Sequence, residues 1–198
     1  MPATRQPPSA AFTLLELLIV IAVIGILAGM LIPNTNPSDY SRLEAAAAIL
    51  GRDIEYARSL AVTNADNYKL TFDLSGNAWV LSHSGTNAAL DALPITPLHR
   101  ATDPPNQQTV ALDQLPSLGG SARLFAIWSL STPPVAVSEL EFLPLGETTR
   151  AEPTLVWLAA GSGAGTRYLA VRVNPVTGLY WVEGFRASEP TTATYTGS

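Results

Sequence analysis

Between Phe12 and Ile32 the chain runs FTLLELLIVIAVIGILAGMLI, 21 residues broken by a single charge, Glu16, and closed by Pro33. A helix rises 1.5 Å per residue, so such a run spans about 30 Å, the thickness of a bilayer's hydrocarbon core. One membrane crossing is therefore expected. A cleaved secretory signal has a shorter apolar region followed by a small-residue cut site. Here the small residues come first, in the polar leader MPATRQPPSAA, whose positive groups are Arg5 and the initiator amine. Positive charge before the span puts that end in the cytoplasm. A carboxylate in mid-bilayer costs on the order of 2.5–3.5 kcal/mol and less near the interface. A plain signal anchor gives no reason for Glu16, so that residue is marked as functional.

The rest of the composition restricts the classes. With 198 residues the chain has room for one ordinary domain beside the apolar segment. Basic residues are almost all arginine, with Lys69 the sole lysine, the formal charge is −5, and no run of like charge occurs. That argues against a nucleic-acid surface, which shows a clustered basic footprint. Without cysteine there is no disulfide framework, thiolate metal site or cysteine nucleophile.

Pro33 removes a backbone donor and crowds the preceding turn, so a kink is expected there, extended by Asn34 to Pro37. Ser41-Arg42-Leu43-Glu44 has the pattern of a capping box. Leu43, Ala47, Leu50, Ile54, Ala57 and Ala61 then recur at helical spacing, with Arg42, Glu44, Arg52, Asp53, Glu55 and Arg58 largely off that stripe. The expected element is an amphipathic helix ending near Thr63, its apolar face laid on a sheet. From residue 68 the period becomes two. Tyr68–Leu74, a Ser75-Gly76-Asn77 turn and Ala78–Leu81 read as a hairpin. Gly85 to Pro116, with Pro104-Pro105 in its midst, reads as a long surface excursion holding at most a short strand at Thr109–Leu112. Further strands are expected at 122–130, 135–143, 154–159 and 168–173, and a hairpin through Asn174–Gly178 leads to one at 179–185. The fold class is α+β: a long N-terminal helix, transmembrane and then amphipathic, packed on a mostly antiparallel head, a small sandwich or two packed sheets. Residues 1–11 form the leader, 12–32 the apolar helix, 33–63 the kink and amphipathic helix and 64–186 the head. Residues 187–198 are polar and aperiodic and read as a flexible tail.

The string Ala11-Phe12-Thr13-Leu14-Leu15-Glu16-Leu17, with Gly25 and Pro33 following, resembles the class III signal of type IV prepilins and type II secretion pseudopilins. The resemblance implies that a prepilin peptidase cuts between Ala11 and Phe12 on the cytoplasmic side, that the new Phe12 amine is methylated, and that the apolar helix is kept. Gly25 and Pro33 would loosen that helix. Ala11 stands where the family usually has glycine, and alanine is the next smallest side chain. Cleavage creates a charged amine among apolar helices, and a buried charge is costly unless neutralised. Glu16 of one subunit pairing with the Phe12 amine of a neighbour would supply that charge and set the register of assembly. Ala57-Arg58-Ser59-Leu60-Ala61, Leu140-Glu141-Phe142-Leu143-Pro144-Leu145-Gly146 and Val171-Arg172-Val173-Asn174-Pro175-Val176-Thr177-Gly178 are similar to the H-type minor pseudopilin of type II secretion and to FimT-like minor pilins.

Other chemistry finds little support in the residues. His83 and His99 have no metal-ligand spacing and read as ordinary surface or turn histidines. Gly161-Ser162-Gly163-Ala164-Gly165 has neither the nucleophile spacing of a serine hydrolase nor the lysine of a phosphate loop. Trp79, Trp128, Trp157 and Trp181 fall in strand patterns, where core burial is the usual fate, with one or two left to line a contact surface. No enzyme activity, cofactor or metal is expected. The expected product is a structural minor pseudopilin or pilin, anchored once in the inner membrane with a periplasmic head. Its partners would be other pilins or pseudopilins, the prepilin peptidase and the inner-membrane assembly platform. The alternative is a minor pilin for DNA uptake or adhesion, against which the acidic charge and the tail without lysine or arginine weigh.

Overall fold

The computed structural model describes residues 13–31, 38–96, 102–115, 118 and 120–192. Ala11, Phe12, Pro33, His99 and the leader lie outside the described residues. The chain divides into two units, Met1–Asn36 and Pro37–Ser198.

In the first unit α1 spans Leu14–Leu31. At its start Thr13 O accepts from Glu16 N at 3.1 Å and Leu17 N at 3.2 Å, and Thr13 Oγ1 accepts from Glu16 N at 3.3 Å. The 18 residues of α1 rise about 27 Å. Among the described residues no helix is long and apolar enough to cross a membrane. The expected span also draws on Phe12 and Ile32, outside the described residues.

The second unit opens with α2, Asp39–Asn64, whose N-cap is Ser38. The capping box expected at Ser41–Glu44 is displaced three residues: Ser38 Oγ accepts from Ser41 N at 3.3 Å, while Ser41 Oγ donates back to Ser38 O at 2.8 Å. Ser38 lies in extended backbone and Asp39 puts a negative charge in the first turn, so the helix begins where both favour it. Ala65, in left-handed backbone at φ 50°, ends it. The whole expected stripe, Leu43 to Ala61, is buried.

Asp53 departs from expectation. Its sequence position groups it with the exposed charges, yet it is only 2% exposed. Trp79 Nε1 donates to it at 2.7 Å, and Arg52 approaches its other oxygen at 3.4 Å. A carboxylate in an apolar layer is retained because an indole N–H, itself buried, needs an acceptor. Burial pushes the Asp53 carboxyl above the ordinary 3.8, while Trp79 and Arg52 pull the other way. Native protein thus holds a proton more tightly than unfolded chain, and this group's contribution to stability falls as pH rises from about 4 through the raised folded value. Asp53→Asn removes that slope. In thermal melts of the full chain in detergent, the stability of Asp53→Asn relative to the parent is expected to increase as pH is raised from about 4 and to level off once pH passes the raised folded value.

Among the described residues nine strands follow: β1 Tyr68–Asp73, β2 Ala78–His83, β3 Gln107–Ala111, β4 Arg123–Ser129, β5 Val135–Ala136, β6 Glu139–Phe142, β7 Thr154–Ala160, β8 Arg167–Val173 and β9 Tyr180–Val182. They form two sheets, ordered β3-β2-β1-β6 and β5-β4-β7-β8-β9. Every described pairing is antiparallel. The fold is α+β, as expected, with α2 packed on strands of both sheets. The β1–β2 turn is held by Asp73 Oδ1, which accepts from Ser75 N at 3.0 Å and Gly76 N at 2.9 Å.

The strand expected at 135–143 is two strands in different sheets. β5 pairs with β4; Val137 N then donates to Ile127 O at 3.0 Å, and Ser138 O accepts from Phe72 N at 2.8 Å as the chain passes to β6 beside β1. β3 begins two residues earlier than expected and ends at Ala111. The excursion around it is more than a surface loop: Leu93 and Leu112 are buried, and Leu93 N donates to Pro105 O at 2.8 Å. β9 is shorter than the expected 179–185. From Val171↔Val182 to Tyr168↔Arg186, three steps along β8 face four along the other chain, a bulge that interrupts the ladder around Gly184. Pro190 is buried, so part of the segment read as a flexible tail sits against the head; residues 193–198 lie outside the described residues.

All of β7 is buried. One face belongs to the main core with α2, and the other forms a second cluster of Trp128, Leu155, Trp157, Ala159, Tyr168 and Ala170. Gly51 permits the close approach of β9 to α2, because a Cβ there would run into the Tyr180 ring.

Candidate assembly segment and head surface

α1 has leucine, isoleucine, valine or alanine on every side, so no one face is marked for a core. Thr13 to Ile24 are all exposed in the single chain, Leu14 by 82% and Ile21 by 62%. Such a surface needs apolar surroundings. Glu16 stands in the first turn as the lone charge of α1, two residues after the helix begins at Leu14. There its carboxylate also meets the positive end of the helix dipole. Gly25 lies within α1. Ala11, Phe12 and Pro33 lie outside the described residues, so the pairing of Phe12 with Glu16 is a proposal below.

In the head, the three sequence stretches that carry the resemblance converge on one corner. Arg58 of α2 donates from Nε to Thr177 O at 2.7 Å, and Thr148 N donates to Pro175 O at 2.8 Å. Asn174 builds the turn before it, Oδ1 accepting from Val176 N at 2.9 Å and Thr177 N at 3.0 Å. Gly178 at φ +63° is pressed against Gly146 O, with Arg58 Cδ 2.9 Å and Phe142 Cε1 3.1 Å from where its Cβ would be. These residues lock α2 to both sheets. Leu145 and Val176, at the same corner, are 85% and 76% exposed.

His83 is not the surface histidine expected, since its side chain is 1% exposed. Nδ1 lies 2.8 Å from Asp91 Oδ1 and Nε2 3.1 Å from Asp66 Oδ2, with the ring edge-on to Tyr68. Asp66 also accepts from the Asn67 and Asn87 amides. The Asn67 amide chiefly, helped by Asn87 and His83, holds the Asp66 carboxyl below its ordinary value. The arrangement clasps the end of α2, strand β2 and the 88–90 turn together. Among the described residues no group of His, Cys, Asp or Glu is placed to hold a metal. Sequence spacing could not find this clasp, because its carboxylates sit 17 and 8 residues from the ring. Of the four tryptophans, Trp79, Trp128 and Trp157 are buried and Trp181 is 43% exposed, which picks out the contact-surface candidate that the sequence left open.

Residues 7–32 match the family described as the prokaryotic N-terminal methylation motif. No curated protein matches the chain. Two solved structures of the type IV minor pilin FimU of Pseudomonas aeruginosa are similar to it. One, at 16% identity, covers 73% of this chain and 90% of that one with a TM-score of 0.47. The other, from a second crystal form, covers 72% and 93% at 16% identity with a TM-score of 0.43. The chain thus carries the prokaryotic N-terminal methylation motif at residues 7–32, followed in sequence by an α+β head.

Proposed function

We propose that this chain is a structural subunit, a minor pseudopilin or pilin, cut between Ala11 and Phe12, methylated on the Phe12 amine and built into a filament through α1. The carrying observation is the exposed apolar surface of α1 from Leu14 to Ile24, with one carboxylate in its first turn, inside a segment that matches the methylation motif. Before assembly, the run from Phe12 to Ile32 holds the subunit in the inner membrane as a single pass, with the head in the periplasm. During assembly, lipid is exchanged for neighbouring helices of other pilins or pseudopilins, and Glu16 of the entering subunit neutralises the Phe12 amine of its neighbour. Gly25 and Pro33 give the helix the play to seat. The prepilin peptidase and the inner-membrane assembly platform are the partners of these steps. Within this reading, the pseudopilus of a type II secretion system is the assigned filament, on the likeness of the Arg58, Leu140–Gly146 and Val171–Gly178 stretches to the H-type subunit.

Mass spectrometry of the chain recovered from its native membrane tests the processing step. A product beginning at Phe12 with one methyl group is expected, and a product that retains Met1 or begins beyond Pro33 would overturn it. Adjacent genes for a secretion pore and motor are expected; a retraction motor in their place would move the subunit to a pilus.

A further inference from the structure

Where α2 begins, the head carries a patch of arginine and aromatic side chains. Tyr40 and Phe185, 46% and 38% exposed, meet edge to face with ring centroids 4.8 Å apart. Arg167, the first residue of β8, donates from Nε to the Tyr40 hydroxyl at 3.1 Å. Arg123, exposed at the start of β4, donates from Nη1 to Gly161 O at 3.2 Å. Gly161 lies against Asp39, whose Oδ2 is 2.8 Å from where a Cβ on that glycine would be. Asp39 is matched by Arg42 at 3.2 Å. Arg123 and Arg167, by contrast, meet neutral oxygens, a phenol and two backbone carbonyls. Among the described residues neither has a carboxylate partner. Each spends one or two of its N–H groups on these contacts and keeps the others, with its full charge, for acceptors outside the chain. The exposed acid Glu44 stands four residues beyond Tyr40 in α2, about 6 Å further from this end.

Tyr40 stands eight residues after Ile32, where the apolar run ends. That length of chain reaches at most about 30 Å, so a bilayer spanned by the run keeps its headgroups within reach of the patch. We propose that the end of the head where α2 begins rests on the anionic phospholipid surface before assembly, with Arg123 and Arg167 on headgroup phosphates and Tyr40 and Phe185 among the headgroups. This rests on the reading that Phe12 to Ile32 spans the bilayer. Guanidinium forks match phosphate oxygens, and tyrosine favours the boundary between lipid and water because its ring is apolar and its tip polar. The tether makes the contact intramolecular, which is why two cations and two rings suffice. Lifting the head from the lipid is then a step that precedes entry into a filament.

The chain has no cysteine, so one introduced thiol labels one place. Ala164→Cys lies exposed in the turn that leads into Arg167, and Val176→Cys lies past the far end of β8, at a position 76% exposed. The full chain with a fluorophore at either position is reconstituted into phosphatidylcholine liposomes, with or without phosphatidylglycerol, and quenched by a lipid that carries a nitroxide on its headgroup. With phosphatidylglycerol, quenching at residue 164 is expected to exceed that at 176 by about threefold or more. The excess should fall by about half or more in pure phosphatidylcholine, in ~1 M salt, where the Debye length is about 3 Å, and in Arg123→Glu. Arg123 is exposed, so the melting temperature of Arg123→Glu should match the parent, and the lipid and salt arms need no substitution there. Equal quenching at the two positions, or an excess at 164 that ignores both lipid charge and salt, would overturn the docking. Extraction with alkaline carbonate separates the two readings. A chain that washes out of the liposomes overturns the spanning and the docking together, whereas one that stays and is quenched equally at both positions overturns the docking alone.

Discussion

Glu16→Leu is expected to leave membrane insertion and processing intact while cutting incorporation into filaments by about 100-fold or more. The expectation follows from what the substitution leaves behind. Leucine suits a bilayer better than a carboxylate, so anchoring does not suffer. In the assembled state, however, the Phe12 amine of the neighbouring subunit would be enclosed among apolar helices with nothing to neutralise it. Removing one partner of a buried ion pair costs about 3–5 kcal/mol, and each 1.4 kcal/mol is roughly tenfold in an equilibrium. The check is a comparison of sheared filaments with membranes by immunoblot, with mass spectrometry to show that both variant and parent begin at methylated Phe12. Equal co-assembly of Glu16→Leu would remove the pairing from the mechanism while leaving the cleavage untouched.

The second large effect lies in the head. Gly178→Ala is expected to destabilise the protein by about 3 kcal/mol. Left-handed backbone costs a residue with a Cβ about 1–2 kcal/mol, and forcing extra volume into a packed site costs about 1–3 kcal/mol. At Gly178, φ is +63° and the new methyl meets Gly146 O, a backbone atom that cannot swing aside. Gly163→Ala is the matched control, with φ +56° and open space around it, and should show the backbone cost alone, about 1 kcal/mol. Denaturant melts of the full chain in detergent would compare the two. Equal losses would mean that the corner formed with Arg58 is not tightly packed.

What could be read before folding was whatever repeats locally. α2 announced itself through apolar residues every three or four positions, and all six of them are buried. The β1–β2 hairpin followed from alternation on either side of Ser75-Gly76-Asn77, and its register runs from Tyr68↔His83 to Asp73↔Ala78. β7 and β8 were visible as short apolar runs of strand length. The features missed depend on partners distant in the chain. Asp53 is buried because Trp79 arrives 26 residues later to donate to it. The change of sheet after Ala136 turns on backbone bonds to Ile127 and Phe72, about which the string VAVSELEFL says nothing. The helix start fell on Ser38 because two serines three residues apart compete for the same cap, and pattern alone does not rank them. At the amino terminus the motif was legible in full, since one charge in an apolar run is a local fact. The bulge after β9 was not, because it is a one-residue slip against β8.

The passage from β5 to β6 through Val137 and Ser138 has a mechanical consequence. With one residue bonded to Ile127 and the next to Phe72, the short link works as a rivet between two plates. Tension that peels β5 from β4 reaches β6 within two residues, so neither plate can yield while the other keeps its shape. Under load the two sheets of the head are therefore expected to lose their structure together, in one step.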